Sequence, residues 1–134
     1  MAGDLVLDTS AAVAHLRGIA TVTVQMQACL DAGKTLYLPL TVWGELLYGA
    51  YRSDRPEREL ANLAEFARGL VRLYPTDQTA DAYAKIKQTL AASGALIPEN
   101  DIWIAAFAVE HNLPLAARDE HFRRVSGLTT LDWR

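Results

Sequence analysis

The sequence predicts an α/β domain built on a mainly parallel sheet. Short apolar runs alternate along the chain with segments of helical length, which is the pattern of strands joined by helical crossovers. Capping residues, glycines and prolines bound the helical segments. Strands are predicted near Asp4–Leu7, Thr35–Leu38, Leu70–Leu73, Leu113–Ala116 and Thr129–Leu131. The first four are separated by segments long enough for the crossover connections that parallel strands require.

The helices are inferred from the residues that start and stop them. Asp8, Thr9 and Ser10 can cap the first helix, and Gly33 stands where a C-cap glycine would end the second. Either Asn112 or the pair Leu113 and Pro114 can end the sixth helix. Helices are predicted at Ala11–Leu16, Thr21–Ala32, Thr41–Tyr51, Glu57–Arg68, Gln78–Ala92, Asp101–His111 and Asp119–Arg124.

Length and composition indicate a single domain covering residues 1–134, with 51% hydrophobic residues to form its core. The single cysteine, Cys29, excludes a disulfide framework or a zinc site made of thiolates. The first residues lack the basic and then apolar pattern of a signal peptide. No run approaches the ~20 apolar residues of a membrane span. We therefore expect a cytoplasmic protein with no membrane partner.

The net charge of the chain argues at first against a nucleic-acid partner. Lys and Arg number 13 and Asp and Glu number 16, which gives a net charge of −3. Proteins that bind phosphate backbones usually carry a basic surplus. Net charge does not say where the charges lie, so the objection depends on the positions of the acidic residues.

Four carboxylates stand where an α/β domain binds its ligands. Asp8 and Asp119 each directly follow a predicted strand, and the carboxyl ends of parallel strands form the ligand-binding crevice of such a sheet. Glu45 lies in the first turns of the helix after the second strand. Asp101 opens the helix before the fourth strand. The four side chains can therefore converge.

Each of these acids also has a purely structural explanation. Asp8 and Asp119 can cap helices, and Asp101 in a first helical turn complements the helix dipole. Glu45 is harder to explain in this way, because its neighbours are apolar and it completes no capping box. Converging carboxylates repel one another, so each would either have a raised pKa or require a cation. Oxygen ligands alone suit Mg²⁺ or Mn²⁺, so the residues predict a divalent-metal site.

Four segments carry these acids in order: LDTSA at 7–11, WGEL at 43–46, NDIWIAA at 100–106 and ARDEHF at 117–122. Together they resemble the acidic motifs of PIN-domain nucleases, and more narrowly those of VapC-type toxins of bacterial toxin–antitoxin pairs. The resemblance implies a three-layer α/β/α fold, with a five-stranded parallel sheet in the order 3-2-1-4-5 and helices on both faces. It also implies metal-dependent endonucleolytic cleavage of RNA. Ala117 departs from the pattern, since the family often has a hydroxyl residue there.

The resemblance assigns a role to each motif residue. Asp8, Glu45 and Asp101 would be the core metal ligands, Asp119 a fourth and more variable acid, and Thr9 and Ser10 auxiliary groups near the crevice. The implied cofactor is Mg²⁺, with Mn²⁺ as a substitute, and the number of ions stays open. Hydrolysis would use a water activated by the metal, which Glu45 or Asp101 would orient. We expect no histidine at these motifs to act as the base.

Basic residues near the predicted crevice are candidates for binding RNA. Arg118 adjoins Asp119, Arg123 lies on the last short helix, and Arg52 follows the helix that carries Glu45. Charges of both signs alternate around Arg52, so salt pairing within the helices competes with RNA contact. Setting aside the four proposed ligands leaves 12 acidic against 13 basic residues. The remaining charge is then weakly basic, and the objection from net charge disappears.

Apolar residues on two consecutive helices exceed the number that one small face needs: Leu46, Leu47, Tyr48, Tyr51, Leu60, Leu63 and Phe66. Core packing explains them most simply, and the alternative is a helical hairpin that binds a second copy or an antitoxin segment. The partners that the resemblance implies are an RNA substrate, a cognate antitoxin in the active-site groove, and a second copy of the chain in a homodimer.

Three other functions are compatible with an acidic α/β crevice. A catalytically weak PIN domain that only binds partners would not need all four acids, which are intact here. A phospho-acceptor receiver domain would have an acidic pair after the first strand and an Asp after the third, where Tyr74 stands. An aspartyl-phosphate phosphatase would have a second acid two residues after Asp8, where Ser10 stands.

Overall fold

A computed structural model describes residues 3–134 and contains a five-stranded sheet in which every pairing is parallel; the first two residues of the expected domain lie outside this range. The strand order is β3-β2-β1-β4-β5, so the expected fold class and order are confirmed. The strands are β1 (Leu5–Leu7), β2 (Leu36–Pro39), β3 (Val71–Leu73), β4 (Leu115–Ala117) and β5 (Thr130–Asp132). Each overlaps its predicted run.

Six α-helices and one short 3₁₀ helix connect the strands. They are α1 (Thr9–Leu16), α2 (Ala20–Asp31), α3 (Leu40–Tyr51), α4 (Pro56–Ala67), α5 (Asp77–Ala92), α6 (Glu99–Glu110) and the 3₁₀ helix (Glu120–Arg124). The last of these was predicted as an ordinary helix, and its five residues adopt the tighter form that is common in short connectors. Helix α6 begins two residues earlier than predicted, because Pro98 takes the N-cap position.

The sheet is covered on both faces. Right-handed crossovers place α1 to α4 on one face and α5 and α6 on the other. Strands β1 and β4 are buried along their whole length, and α6 contributes six buried residues between Ile102 and Ala108. Within residues 3–134, no helix has the length and apolar character needed to cross a membrane.

A buried threonine ties α5 to α6 on the second face. The Thr79 hydroxyl accepts a hydrogen bond from the Thr76 N–H at 2.9 Å and donates one to Glu110 Oε1 at 2.6 Å. Thr79 is fully buried. Because Glu110 ends α6 and Thr79 starts α5, the two helices form an antiparallel pair, and the other end of α6 carries Asp101.

The register of the sheet brings the carboxyl ends of β1 and β4 side by side. Leu7 pairs with Ala116, and the Asp8 N–H donates to the Ala116 carbonyl at 3.1 Å. Strand β2 ends at Pro39 and passes directly into α3. One edge of the sheet therefore gathers the starts of α1 and α3 and the segment that follows β4.

Candidate active site

Asp8 is placed at this edge by both its strand and its helix. It follows β1 and is the N-cap of α1, where its Oδ1 accepts from the Ala11 N–H at 2.7 Å. The Ser10 hydroxyl donates to the same carboxylate, at 2.8 Å from Oδ2. The residue is 2% exposed. The same position makes Asp8 the N-cap of α1 and places its carboxylate at the sheet edge. Its capping role is therefore compatible with a role in the site.

Thr9 connects the first motif to the second. Its hydroxyl donates a 2.5 Å hydrogen bond to Glu45 Oε1, across 36 positions of the chain. Glu45 lies half-buried near the middle of α3. The bond fixes the Glu45 side chain against the start of α1, beside Asp8.

Asp101 and Asp119 approach from the other side of the crevice. Asp101 is half-buried in the first turn of α6, and its Oδ2 lies 2.7 Å from Nε2 of His121. Asp119 follows β4 and is exposed. It occupies the N-cap position of the 3₁₀ helix, but its side chain makes no capping hydrogen bond. The capping explanation therefore fails for Asp119.

The acids lie close enough to shift one another's pKa. Burial raises the pKa of Asp8 to about 6, hydrogen bonds from Ala11 and Ser10 oppose the shift, and the charges of Asp119 and Asp101 add to it. Burial also raises the pKa of Asp101, His121 opposes this, and Glu45 and Asp119 reinforce it. Each acid thus acts on at least one other, as like charges sharing one site do.

All four acids lie within residues 5–128, the segment that matches the PIN domain family. The chain belongs to the PIN-domain family. It is 39% identical over 104 residues to ribonuclease VapC2 of Haemophilus influenzae, a match that covers 77% of this chain and 78% of that protein. It is 33% identical over 105 residues to the tRNA(fMet)-specific endonuclease VapC of Shigella flexneri, covering 78% of this chain and 79% of that protein.

A solved structure agrees with these matches. The PIN domain described here resembles a chain in the crystal structure of DNA-bound VapBC from Salmonella typhimurium, with a TM-score of 0.89 and 26% identity over 98% of both chains. The identification as a VapC-type PIN domain, made from the four acidic motifs, is therefore confirmed.

The carboxylate oxygens of the four acids in this PIN domain are ligands of the kind that a hard divalent cation binds. The four side chains do not, however, surround a single point. Within residues 3–134, no group of three or more His, Cys, Asp or Glu side chains is already arranged to hold a metal ion. Glu45 is engaged by Thr9 and Asp101 by His121, while the carboxylates repel one another. The raised pKa of Asp8 is the sign of a site that a cation would stabilise, and oxygen donors suit Mg²⁺ or Mn²⁺.

The three arginines proposed to bind RNA have different surroundings. Arg52 lies over the Tyr48 ring at 5.3 Å and lines a groove that also contains Glu45. Arg118 donates its backbone N–H to the Ser10 hydroxyl at 3.3 Å, and its Nε is shielded from solvent without a hydrogen-bond partner within residues 3–134. Arg123 lies 3.6 Å from Asp132, so the 3₁₀ helix and β5 hold it by an ion pair.

The sequence predicted no histidine as the base and gave His121 no role in the site. The structure places His121 Nε2 2.7 Å from Asp101 Oδ2, so the surroundings of the site include a residue that the sequence did not indicate. The available signal was its position two residues after Asp119. Metal-ligand spacing along the chain could not reveal a contact between residues 20 positions apart. Ala117, which departs from the family pattern, is buried at the end of β4, next to the Arg118 N–H that Ser10 binds.

Proposed function

We propose that this PIN domain is the metal-dependent endoribonuclease toxin of a VapBC-type toxin–antitoxin pair. The observation that carries the proposal is the convergence of four coupled carboxylates at the carboxyl edge of the sheet: Asp8, Glu45, Asp101 and Asp119. The names of two relatives, a ribonuclease and a tRNA-specific endonuclease, support the reaction class. The intact acids favour catalysis over the alternative of a PIN domain that only binds partners.

Asp8, Glu45 and Asp101 would hold Mg²⁺ or Mn²⁺, and the exposed Asp119 would complete the set. The bound ion would supply an activated water and relieve the charge on the scissile phosphate. The chain itself prepares the ligands. Ser10 and the Ala11 N–H orient Asp8, and Thr9 orients Glu45. These bonds place the carboxylates before the substrate arrives, which is the preorganisation that catalytic electrostatics require.

RNA would approach along the two sides of the acidic edge. Arg52 lines the groove that includes Glu45, and Arg118 lies next to Asp119 in the chain. Both can neutralise phosphates that flank the cleaved bond. Arg123 is exposed and lies 3.6 Å from Asp132, a carboxylate that Arg134 binds more closely, at 2.9 Å.

The antitoxin would occupy the groove between α1, α3 and α4. The groove has a volume of about 410 Å³ and begins at Glu45. Its apolar lining includes Val13, Leu46 and Leu63, and Arg17 and Arg52 also line it. An extended or helical segment with apolar anchors and an acidic end fits such a groove. A segment seated there would cover Glu45 and block the RNA path.

We also propose a homodimer in the cytoplasm. On the helical hairpin predicted to bind partners, Leu46 and Leu63 are buried in the core, whereas Tyr48 and Tyr51 are each 66% exposed. Core packing therefore explains only part of the apolar surplus. The exposed tyrosines support a protein contact on this hairpin.

The test is cleavage of tRNA and of an unstructured oligoribonucleotide with Mg²⁺ or Mn²⁺, beside an EDTA control. Asp8→Asn and Asp101→Asn each remove a proposed ligand, and we expect activity to fall by more than about 100-fold, since loss of a residue behind a ligand already costs 10- to 100-fold. Asp81→Asn is the matched control, because Asp81 is exposed on α5 and pairs with Lys85. Equal cleavage by all four proteins would mean that the activity is a contaminant and the site is wrong.

A further inference from the structure

We propose that His121 is a positioning residue that holds the Asp101 carboxylate in the orientation in which it binds the metal ion. The inference rests on the proposed function and adds a residue to its machinery. His121 Nε2 lies 2.7 Å from Asp101 Oδ2. The two side chains are 22% and 20% exposed, so the contact is largely removed from water.

Asp101 is the polar group that lies next to the Nε2 atom of His121. Nε2 is shielded from solvent, and among the described residues nothing forms a regular hydrogen bond with it. The two atoms lie at ion-pair distance, 2.7 Å. When Asp101 is ionised, its carboxylate offers only acceptors, so the favourable partner at this distance is an N–H on Nε2.

The His121 imidazole packs against a buried aromatic ring. His121 is followed by Phe122, which is fully buried, and the two rings pack at 4.7 Å between centroids. Phe122 anchors the 3₁₀ helix in the core directly after β4. The donor therefore reaches Asp101 from an element that the sheet fixes, while Asp101 itself lies on α6.

Positioning explains the geometry better than direct proton transfer to RNA. A general acid must reach the substrate, whereas the Nε2 atom of His121 faces Asp101. Asp101 also feels the like charges of Glu45 and Asp119, which add to the effect of burial in raising its pKa. A donor on one oxygen counteracts this effect and restricts the rotation of the carboxylate. Partners of this kind behind metal ligands typically change affinity or activity by 10- to 100-fold.

The test measures Mn²⁺ binding to the RNA-free protein by electron paramagnetic resonance, with kcat and KM for RNA cleavage alongside. We expect His121→Ala to weaken Mn²⁺ binding by about 10- to 100-fold and to lower kcat with little change in KM. His121→Gln places an amide N–H near the position of Nε2, so it should restore most of the Mn²⁺ affinity. His111→Ala is the matched control, because His111 is exposed at the opposite end of α6.

The outcomes separate this inference from the proposed function. If Asp101→Asn loses Mn²⁺ but His121→Ala binds it like the unmodified protein, the positioning role is wrong and the metal site stands. If His121→Gln is as weak as His121→Ala, a donor is not what the position requires, and the inference is again overturned. If the unmodified protein binds no Mn²⁺ and cleaves no RNA, both proposals fail. A circular dichroism melt of each variant shows whether it is folded.

Discussion

The Asp8 carboxylate carries a negative charge into the interior of the fold. Burial raises its pKa from the ordinary value of 3.8 to about 6 in the folded protein. Ionisation is therefore easier in the unfolded chain. Stability falls as the pH rises from about 4 through 6 and then levels off, and the cost at neutral pH is about 3 kcal/mol. A bound cation would remove this cost.

We expect Asp8→Asn to stabilise the metal-free protein at pH 8 by about 1–3 kcal/mol. Asparagine keeps an oxygen for the Ala11 N–H and remains a good N-cap, while the buried charge is lost. The gain should shrink as the pH falls to 4.5, where Asp8 of the unmodified protein is protonated. Urea denaturation in EDTA at both pH values measures it, with Asp81→Asn as the surface control. A gain that is the same at both pH values would contradict a charge effect.

Single residues were predictable where a sequence neighbour determines their role. Asp8 follows a strand and precedes a helix, so its place at the sheet edge follows from local pattern alone. Thr9 and Ser10 came with the same motif, but their bonds to Glu45 and Asp8 depend on side-chain geometry. The contact of His121 joins α6 to the segment after β4. No periodicity in the sequence encodes that contact, so only the folded chain could reveal it.

The ends of the helices were predicted to within two residues, because the residues that start and stop a helix lie next to it in the sequence. Gly33 and Asn112 have φ angles of 76° and 53°, the left-handed conformation that ends a helix. Thr76 and Thr79 close the capping box at the start of α5. The bond from Thr79 to Glu110 was not predicted, since it connects helices 31 positions apart. Local signals set the ends of the elements, and long-range polar contacts set how they are joined.

We expect Thr79→Val to destabilise the protein by about 2 kcal/mol, because it removes a buried hydroxyl and with it the hydrogen bonds to Glu110 Oε1 and from the Thr76 N–H. Thr79→Ser keeps both bonds and loses one methyl group, so it should cost only about 1 kcal/mol. Urea denaturation compares them, with Thr89→Val on the exposed face of α5 as control. A Ser variant less stable than the Val variant would show that packing, and not hydrogen bonding, holds this joint.

At the scale of the molecule, the convergence of the acids is a property of the topology. Parallel strands share one carboxyl edge, and β1 and β4 are neighbours in the order 3-2-1-4-5. Asp8 and Asp119 therefore lie at the same edge, and the charge of Asp119 raises the pKa of Asp8, although 111 positions separate them. The alternation of strands and helices predicted the parallel sheet, whereas the strand order came from the resemblance to a known family. Hydrophobic pattern alone does not distinguish one order of five short buried strands from another.

The same topology concentrates negative charge where the proposed RNA substrate would place its phosphate, so we expect the charge of this edge to affect RNA affinity. The net charge is −3, and four of the acids share one edge. Without a metal ion, this edge should repel RNA.

We therefore expect Asp8→Asn to bind 2′-O-methylated RNA about fivefold more tightly in EDTA than the unmodified protein does, since one charge near a phosphate is worth about 1 kcal/mol in water. Adding Mg²⁺ should tighten binding by the unmodified protein. Fluorescence anisotropy measures both effects. Asp81→Asn changes the net charge equally but lies on α5, away from the acidic edge, so its affinity should stay the same. If it binds as tightly as Asp8→Asn, then total charge, and not its placement at the sheet edge, controls RNA binding.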